Sequence, residues 1–273
     1  VAQAPSNRRR DASQARRTNA EVFDALARRA FAAAQAAPRD RRFVVGLAGC
    51  PGSGKTTTAA AVVARCNALA AAQGLGEDWA ALLPMDGFHL YRRQLDAMPD
   101  PAEAHRRRGT TPRAHTLRSQ CLRSHASFAC SGAEWTFDGA AFVAAVDAAR
   151  SRAGEALSFP SFDHAAGDPV PGDVLVGPAT RLVLVEGLYL FLDTPPWAQL
   201  AEKALLDERW MMDVPPVVAT RRIVARHLAV GATREQAEAR AGGSDALNAE
   251  LVWSRRAAAL PHVAVPSFDE PQR

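Results

Sequence analysis

Gly49-Cys50-Pro51-Gly52-Ser53-Gly54-Lys55-Thr56 matches GxxxxGK[ST] at every defined position, directly after the apolar run Phe43–Ala48. That setting constrains the fold more than the letters do. The apolar run reads as a buried strand, and the alanine-rich stretch 57–72 as part of the helix that the loop opens. A strand, a tight glycine-rich loop and a helix start together aim backbone N–H groups and the positive end of a helix dipole at an anion. Glycines let the backbone approach phosphate oxygens where a side chain would collide. Lys55 can then reach β- and γ-phosphates, and the Thr56 hydroxyl can ligate Mg²⁺. The chain holds only two lysines, Lys55 and Lys203, so the one at the motif position stands out against abundant arginine. The expected nucleotide-contacting set is Gly49, Cys50, Pro51, Gly52, Ser53, Gly54, Lys55, Thr56 and Thr57.

Along the chain, strand-like and helix-like stretches alternate. A helix is expected over 20–37, capped by Thr18 or Asn19, with Val22, Phe23, Leu26 and Phe31 on its apolar side. Further strands are expected over 79–85, 157–162, 181–186, 208–214 and 263–265, and helices over 139–152, from Pro215-Pro216 to a break near Gly231, over 233–241 and over 245–259. The Pro-, Gly- and Asp-rich stretch 163–172 reads as a loop. This alternation predicts an α/β fold with a doubly wound, mainly parallel sheet of the P-loop NTPase type. Residues 1–18 read as a disordered basic tail, and 19–273 as a single domain with a lid at about 221–245.

The stretch 110–132 differs from its surroundings, with Ser, Thr, His, Cys and Arg, no acidic residue and no periodicity. It reads as an insertion, either specific to a lineage or a retained intron. The order His115, Cys121, His125, Cys130 lacks the short ligand pairs of a zinc site. Net charge is a modest +4, but arginines crowd the first 42 residues. That pattern suits a disordered tail or a targeting remnant better than a nucleic-acid arm. No apolar stretch is long enough to span a bilayer, so no membrane partner is expected. The cytoplasm is the expected compartment, with a plastid or mitochondrion as the alternative drawn from the basic start. A homodimer is the default oligomer.

In doubly wound sheets, ligands gather beyond the carboxyl ends of the strands. The second predicted strand ends at Asp86, and the third at Glu186. Phosphoryl transfer needs Mg²⁺, a base near the acceptor hydroxyl and cations on the migrating group. Asp86 is therefore the candidate base, Thr56 and Glu186 the candidate Mg²⁺ ligands, and Lys55 and Arg226 the candidate catalytic cations. Arg222 lies one turn from Arg226 on the same face of a helix that breaks near Gly231 and so suits a closing lid.

GCPGSGKTT, LLPMDGFHL, SFPSFDHAAGDPVPGD and LVLVEGLYLF together resemble the uridine kinase, phosphoribulokinase and pantothenate kinase family of P-loop kinases, in its uridine kinase-like branch. The likeness runs from about residue 18 to 267. It implies that Asp86 matches the family's proposed base, that Phe88 and His89 belong to the following substrate segment, that Asp163 and His164 line the acceptor pocket, and that Glu186 is the acid after the Walker-B-like strand. Asn248-Ala249 matches a recurrent element of the last helix. In that branch Arg107-Arg108-Gly109 runs directly into the WTFD element, here displaced to 135–138 by the stretch 110–132.

The expected activity is that of an ATP-dependent kinase, a phosphotransferase of the EC 2.7.1 type using ATP and Mg²⁺, with a small hydroxyl-bearing metabolite as partner. Nucleosides, sugars, sugar acids and pantothenate-like molecules are all candidate acceptors. The alternative is a P-loop NTPase with a regulatory or switch role. An NKxD-type guanine-reading sequence and an LSGGQ-like transporter signature are both absent.

Overall fold

The first helix, α1 (Asn19–Ala36), starts at a capping box: Glu21 N–H donates to Thr18 Oγ1, and Thr18 N–H donates to Glu21 Oε2. The computed structural model describes residues 18–108, 134–163, 165–255 and 261–269. The basic tail and the suspected insertion therefore lie outside the described residues, apart from Thr18. Val22, Leu26, Ala30, Phe31 and Ala34 bury one stripe of α1. The chain continues through β1 (Phe43–Ala48), α2 (Lys55–Ala72), β2 (Ala80–Pro84), α3 (Arg92–Asp96), α4 (Pro101–Arg108), α5 (Gly139–Ser151), β3 (Leu157–Asp163) and β4 (Asp168–Val176). It ends with β5 (Leu182–Gly187), α6 (Gln199–Glu202), β6 (Glu208–Met212), α7 (Pro216–Ala229), α8 (Arg234–Gly242), α9 (Ser244–Arg255) and β7 (Val263–Val265).

Five of these strands form one parallel sheet in the order β2-β5-β1-β6-β7, with helices packed against it. Every residue of β1 and β5 is buried, which is why both read as unbroken apolar runs rather than as alternating patterns. The expected parallel α/β fold is observed.

β3 and β4 stand apart as an antiparallel hairpin. This corrects the expectation of a loop over 163–172. Among the described residues only 165–167 turn, and Pro169, Pro171 and Gly172 lie inside β4. A two-stranded ribbon leaves each strand one unpaired edge, so a proline there forfeits no ladder bond. α3, α4 and α6 were not anticipated, and α9 is described to Arg255, with 256–260 outside the described residues.

The amino ends of the strands are held by charge. Arg42, fully buried before β1, donates to five backbone carbonyls, those of Ala149, Arg152, Glu155, Gly177 and Thr180. Arg181, before β5, donates to the carbonyls of Ala34, Ala37, Pro38 and Arg41. Asp207, before β6, accepts from Arg41, Arg150 and the Val44 N–H. At the far end of the chain, the Asn19 side chain exchanges two hydrogen bonds with the backbone of Phe268, 2.9 Å each.

Candidate active site

The phosphate loop leaves β1 and enters α2 at Lys55. It is wedged between β6 and α7. A Cβ on Gly52, which holds φ at +76°, would lie 2.5 Å from the Ala219 carbonyl of α7, and one on Gly49 would lie 2.6 Å from Ser53 Oγ and 2.7 Å from Met212. Cys50 is buried beneath the loop against the Ala249 carbonyl of α9. Ser53 is wholly buried, and its Oγ has no hydrogen-bond partner among the described residues. An orphaned hydroxyl inside a cradle whose glycines cannot carry a Cβ fits an anion that the loop is shaped to receive.

Strand register brings the acidic residues to the same end. Glu186 pairs with Leu47 of β1 and Pro84 of β2, and Asp86 follows Pro84 in the 3-10 turn Met85–Phe88. Glu186 is 2% exposed, and Thr56 Oγ1 donates to its Oε2 at 3.4 Å. Burial is the main force pushing the Glu186 carboxyl up to about 7, and the charge of Asp86 acts in the same direction. The Lys55 ammonium and the Thr56 hydrogen bond oppose it. Lys55, Thr56 and Asp86 thus all lie within reach of Glu186. A buried carboxylate beside a hydroxyl at the cradle is an oxygen donor set that suits Mg²⁺ shared with phosphates. Among the described residues, no three His, Cys, Asp or Glu side chains gather to hold a metal by themselves.

The turn bearing Asp86 is pinned on both sides. His89 Nδ1 donates to the Asp86 carbonyl at 2.9 Å, which requires a proton on Nδ1. Its ring lies between Phe137 and Phe162, with centroids 3.9 and 4.7 Å away. Asp138 N–H donates to the Phe88 carbonyl, and Leu90 N–H to the Thr136 carbonyl. Gly87 is where β3 crosses, since a Cβ there would sit 1.9 Å from the Pro160 carbonyl.

Other expected site residues are placed less centrally. The Phe88 side chain is buried and meets Phe142 edge-on, so it anchors the turn in the core. Asp163 is exposed, and its Oδ1 accepts from the N–H groups of Ala165 and Ala166, closing the hairpin turn. His164 lies outside the described residues. Arg226 is exposed on α7. One turn earlier, Arg222 reaches the Ser53 carbonyl at 3.4 Å and also binds Ser267 and Asp269. Arg221 pairs with the same aspartate.

Sequence reasoning gave no functional role to Arg92, Arg107, Arg108 and Asp168, which surround the far side of His89 and Phe162. Arg107-Arg108 had served only to mark the junction of the suspected insertion. The available signal was the run of arginines at 106–108.

An ATP-dependent kinase-like protein of Aspergillus versicolor is 41% identical over 177 residues, 63% of this chain and 88% of that protein. A Schizosaccharomyces pombe protein carrying a provisional uridine kinase name is 36% identical over 214 residues, 78% of each chain. Among solved structures, a Silicibacter protein provisionally named a fructose transport system kinase superposes with a TM-score of 0.65 at 29% identity, covering 90% of this chain and 98% of that one. No protein-family model matches the chain.

Proposed function

The chain belongs to the uridine kinase-like branch of the P-loop kinases, and from that premise we propose that it transfers the γ-phosphate of ATP to a hydroxyl of a small metabolite. The observation that carries this reading is the meeting of Lys55, Thr56, Asp86 and Glu186 at the carboxyl ends of three adjacent strands. A simple nucleotide switch has no use for a carboxylate on the acceptor side of the loop, positioned by its own pinned turn.

In this mechanism the backbone N–H groups of residues 49–57 hold the phosphates of ATP, and Lys55 neutralises the charge on the migrating group. Thr56 Oγ1 and Glu186 would hold Mg²⁺, which when bound lowers the charge repulsion between phosphate and acceptor. Asp86 accepts the proton of the acceptor hydroxyl as its oxygen bonds to the γ-phosphorus. The bond from that phosphorus to the bridging oxygen breaks, and ADP leaves with the electron pair. His89 orients the Asp86 turn through its carbonyl, and Asp163, with His164 next to it in sequence, borders the acceptor. Arg222 and Arg226, on one face of α7, supply further positive charge as α7 and α8 close and exclude water.

The test is ATP consumption with Mg²⁺ against a panel of nucleosides, sugars, sugar acids and vitamins. Turnover that depends on one acceptor, and is lost in Asp86→Asn, supports the kinase. Turnover independent of any acceptor moves the reading to a regulatory NTPase.

A further inference from the structure

Beyond the rings that flank His89 lies a group of arginines that the phosphate-transfer chemistry does not use. Arg107 and Arg108 end α4, and both side chains are shut away from solvent: Arg107 is 2% exposed, and the Arg108 side chain 0%. Neither is fully satisfied among the described residues. There, Arg107 Nε and Nη2, the two nitrogens of one guanidinium edge, have no hydrogen-bond partner. Arg108 donates from Nη2 to the Gly167 carbonyl at 2.6 Å, while its Nε and Nη1 have none. The nearest carboxylate oxygen, Asp168 Oδ1, stands 3.6 Å from Arg108 Nη1 and already accepts the Arg92 N–H at 2.7 Å.

Buried guanidinium groups left without acceptors are costly, and native structures rarely tolerate two side by side without a reason. The charges around them do not cancel. Arg92, Arg107 and Arg108 face Asp168 and Glu134. Burial pushes the Glu134 carboxyl up, towards its neutral form, although the Arg107 charge opposes this. The same burial pushes the Arg108 guanidinium down, with Asp168 only partly offsetting it. The group is contiguous with the acceptor segment. Arg108 lies over the Phe162 ring at 5.3 Å, Phe162 packs on His89 at 4.7 Å, and His89 holds the carbonyl of Asp86.

We propose that the acceptor carries, besides its reacting hydroxyl, an anionic group, a carboxylate or a phosphate ester, which is bound by Arg108 and Arg107. A guanidinium edge with two open N–H donors matches the paired oxygens of either anion. This inference rests on the kinase reading for the identity of the ligand as acceptor, but the anion site itself does not.

Two measurements separate the two claims. In the first, the phosphate loop is filled with a non-hydrolysable ATP analogue and Mg²⁺, and inorganic phosphate and D-glycerate are each titrated into the full chain by calorimetry. Wild type should bind at least one of the two at a single further site, Arg108→Met should lose it, and Arg108→Lys should keep a weakened form. Equal binding in wild type and Arg108→Met, or no binding of either anion in wild type, overturns the proposal. In the second, ATP consumption is compared for matched acceptors, D-ribose with D-ribose 5-phosphate and glycerol with D-glycerate, so that the phosphate and carboxylate sources are told apart. The charged member of one pair should be preferred. Arg107→Met and Arg108→Met should lower its kcat/KM by roughly 10²–10⁴-fold, with the KM for ATP unchanged. A preferred neutral acceptor, indifferent to both substitutions, would sink the anion site and leave the kinase standing. Anion binding with no stimulation of ATP consumption by any acceptor would do the reverse. Thermal melts guard against misfolding: removing a buried, poorly paired charge should leave Arg108→Met at least as stable as wild type.

Discussion

The charge of Asp86 opposes ionisation of Glu186, yet the surroundings of the two suit them to different tasks. Asp86, partly open on the acceptor side, suits a proton acceptor; Glu186, 2% exposed under the Thr56 hydroxyl, suits a cation. Asp86→Asn should keep ATP affinity within about threefold while kcat falls by about 10²–10⁴-fold, the usual range for loss of a general base; near-normal turnover would remove Asp86 from that role. Lys55→Ala should instead weaken ATP binding and transfer together, since its charge serves both. Glu186 also predicts a pH dependence of stability. Its carboxyl stands at about 7 in the folded protein, above its ordinary 4.5, so the folded state binds the extra proton between those values. Stability of the ligand-free protein should therefore be highest below pH 4.5 as far as this group is concerned, and fall as pH rises towards 7, by about 3 kcal/mol at most. Glu186→Gln should flatten that slope and melt higher than wild type at pH 8, measured without nucleotide or Mg²⁺. A steeper fall in the variant would contradict the assignment.

Among the elements, the β3–β4 hairpin determines whether the acceptor side is properly formed. Its Pro160 carbonyl lies over Gly87, so Gly87→Ala forces the hairpin and the Asp86 turn apart. Activity should drop by about 10²-fold, as for other misplacements near 1 Å, with ATP affinity preserved. Unaltered kcat would mean that the hairpin moves freely over the turn. The hairpin was also the element least visible beforehand. β1 and β5 announce themselves because strands paired on both sides and covered on both faces read as unbroken apolar runs. Lys55 and Thr56 were legible in the motif that follows β1, Asp86 in the acid after the second apolar run, and Glu186 in the acid near the end of β5. β4 escaped because a two-stranded ribbon open on both edges accepts Pro169, Pro171, Gly172 and exposed Leu175 without penalty. Arg107 and Arg108 escaped because charged residues at the end of a short helix read as solvated. Arg108 meets Phe162 and Asp168, and Arg107 lies near Glu134, all distant in the chain. α3, α4 and α6 are too short for helical periodicity to emerge.

Across the whole molecule, cohesion and chemistry occupy opposite ends of one sheet. The amino ends are fastened by Arg42, Arg181 and Asp207, and the carboxyl ends carry the candidate reacting groups. Arg42→Met leaves five carbonyls to find new partners and should cost about 3–5 kcal/mol in denaturant unfolding. The KM for ATP and the kcat of the folded fraction should stay near wild type. A selective loss of activity without loss of stability would show that the two ends are coupled. The paired hydrogen bonds between Asn19 and Phe268 have a different consequence. They bring the first helix and the tail of the last strand within touching distance, so the path of the chain through the fold is nearly a closed ring. A gene that joined 268 to 19 through a short linker, and opened the exposed turn at Gly74–Gly76 instead, would meet the same neighbours in a new order. Refolding of that rearranged chain to the same sheet would show that the contacts between 19 and 268, and not their order along the chain, specify the fold.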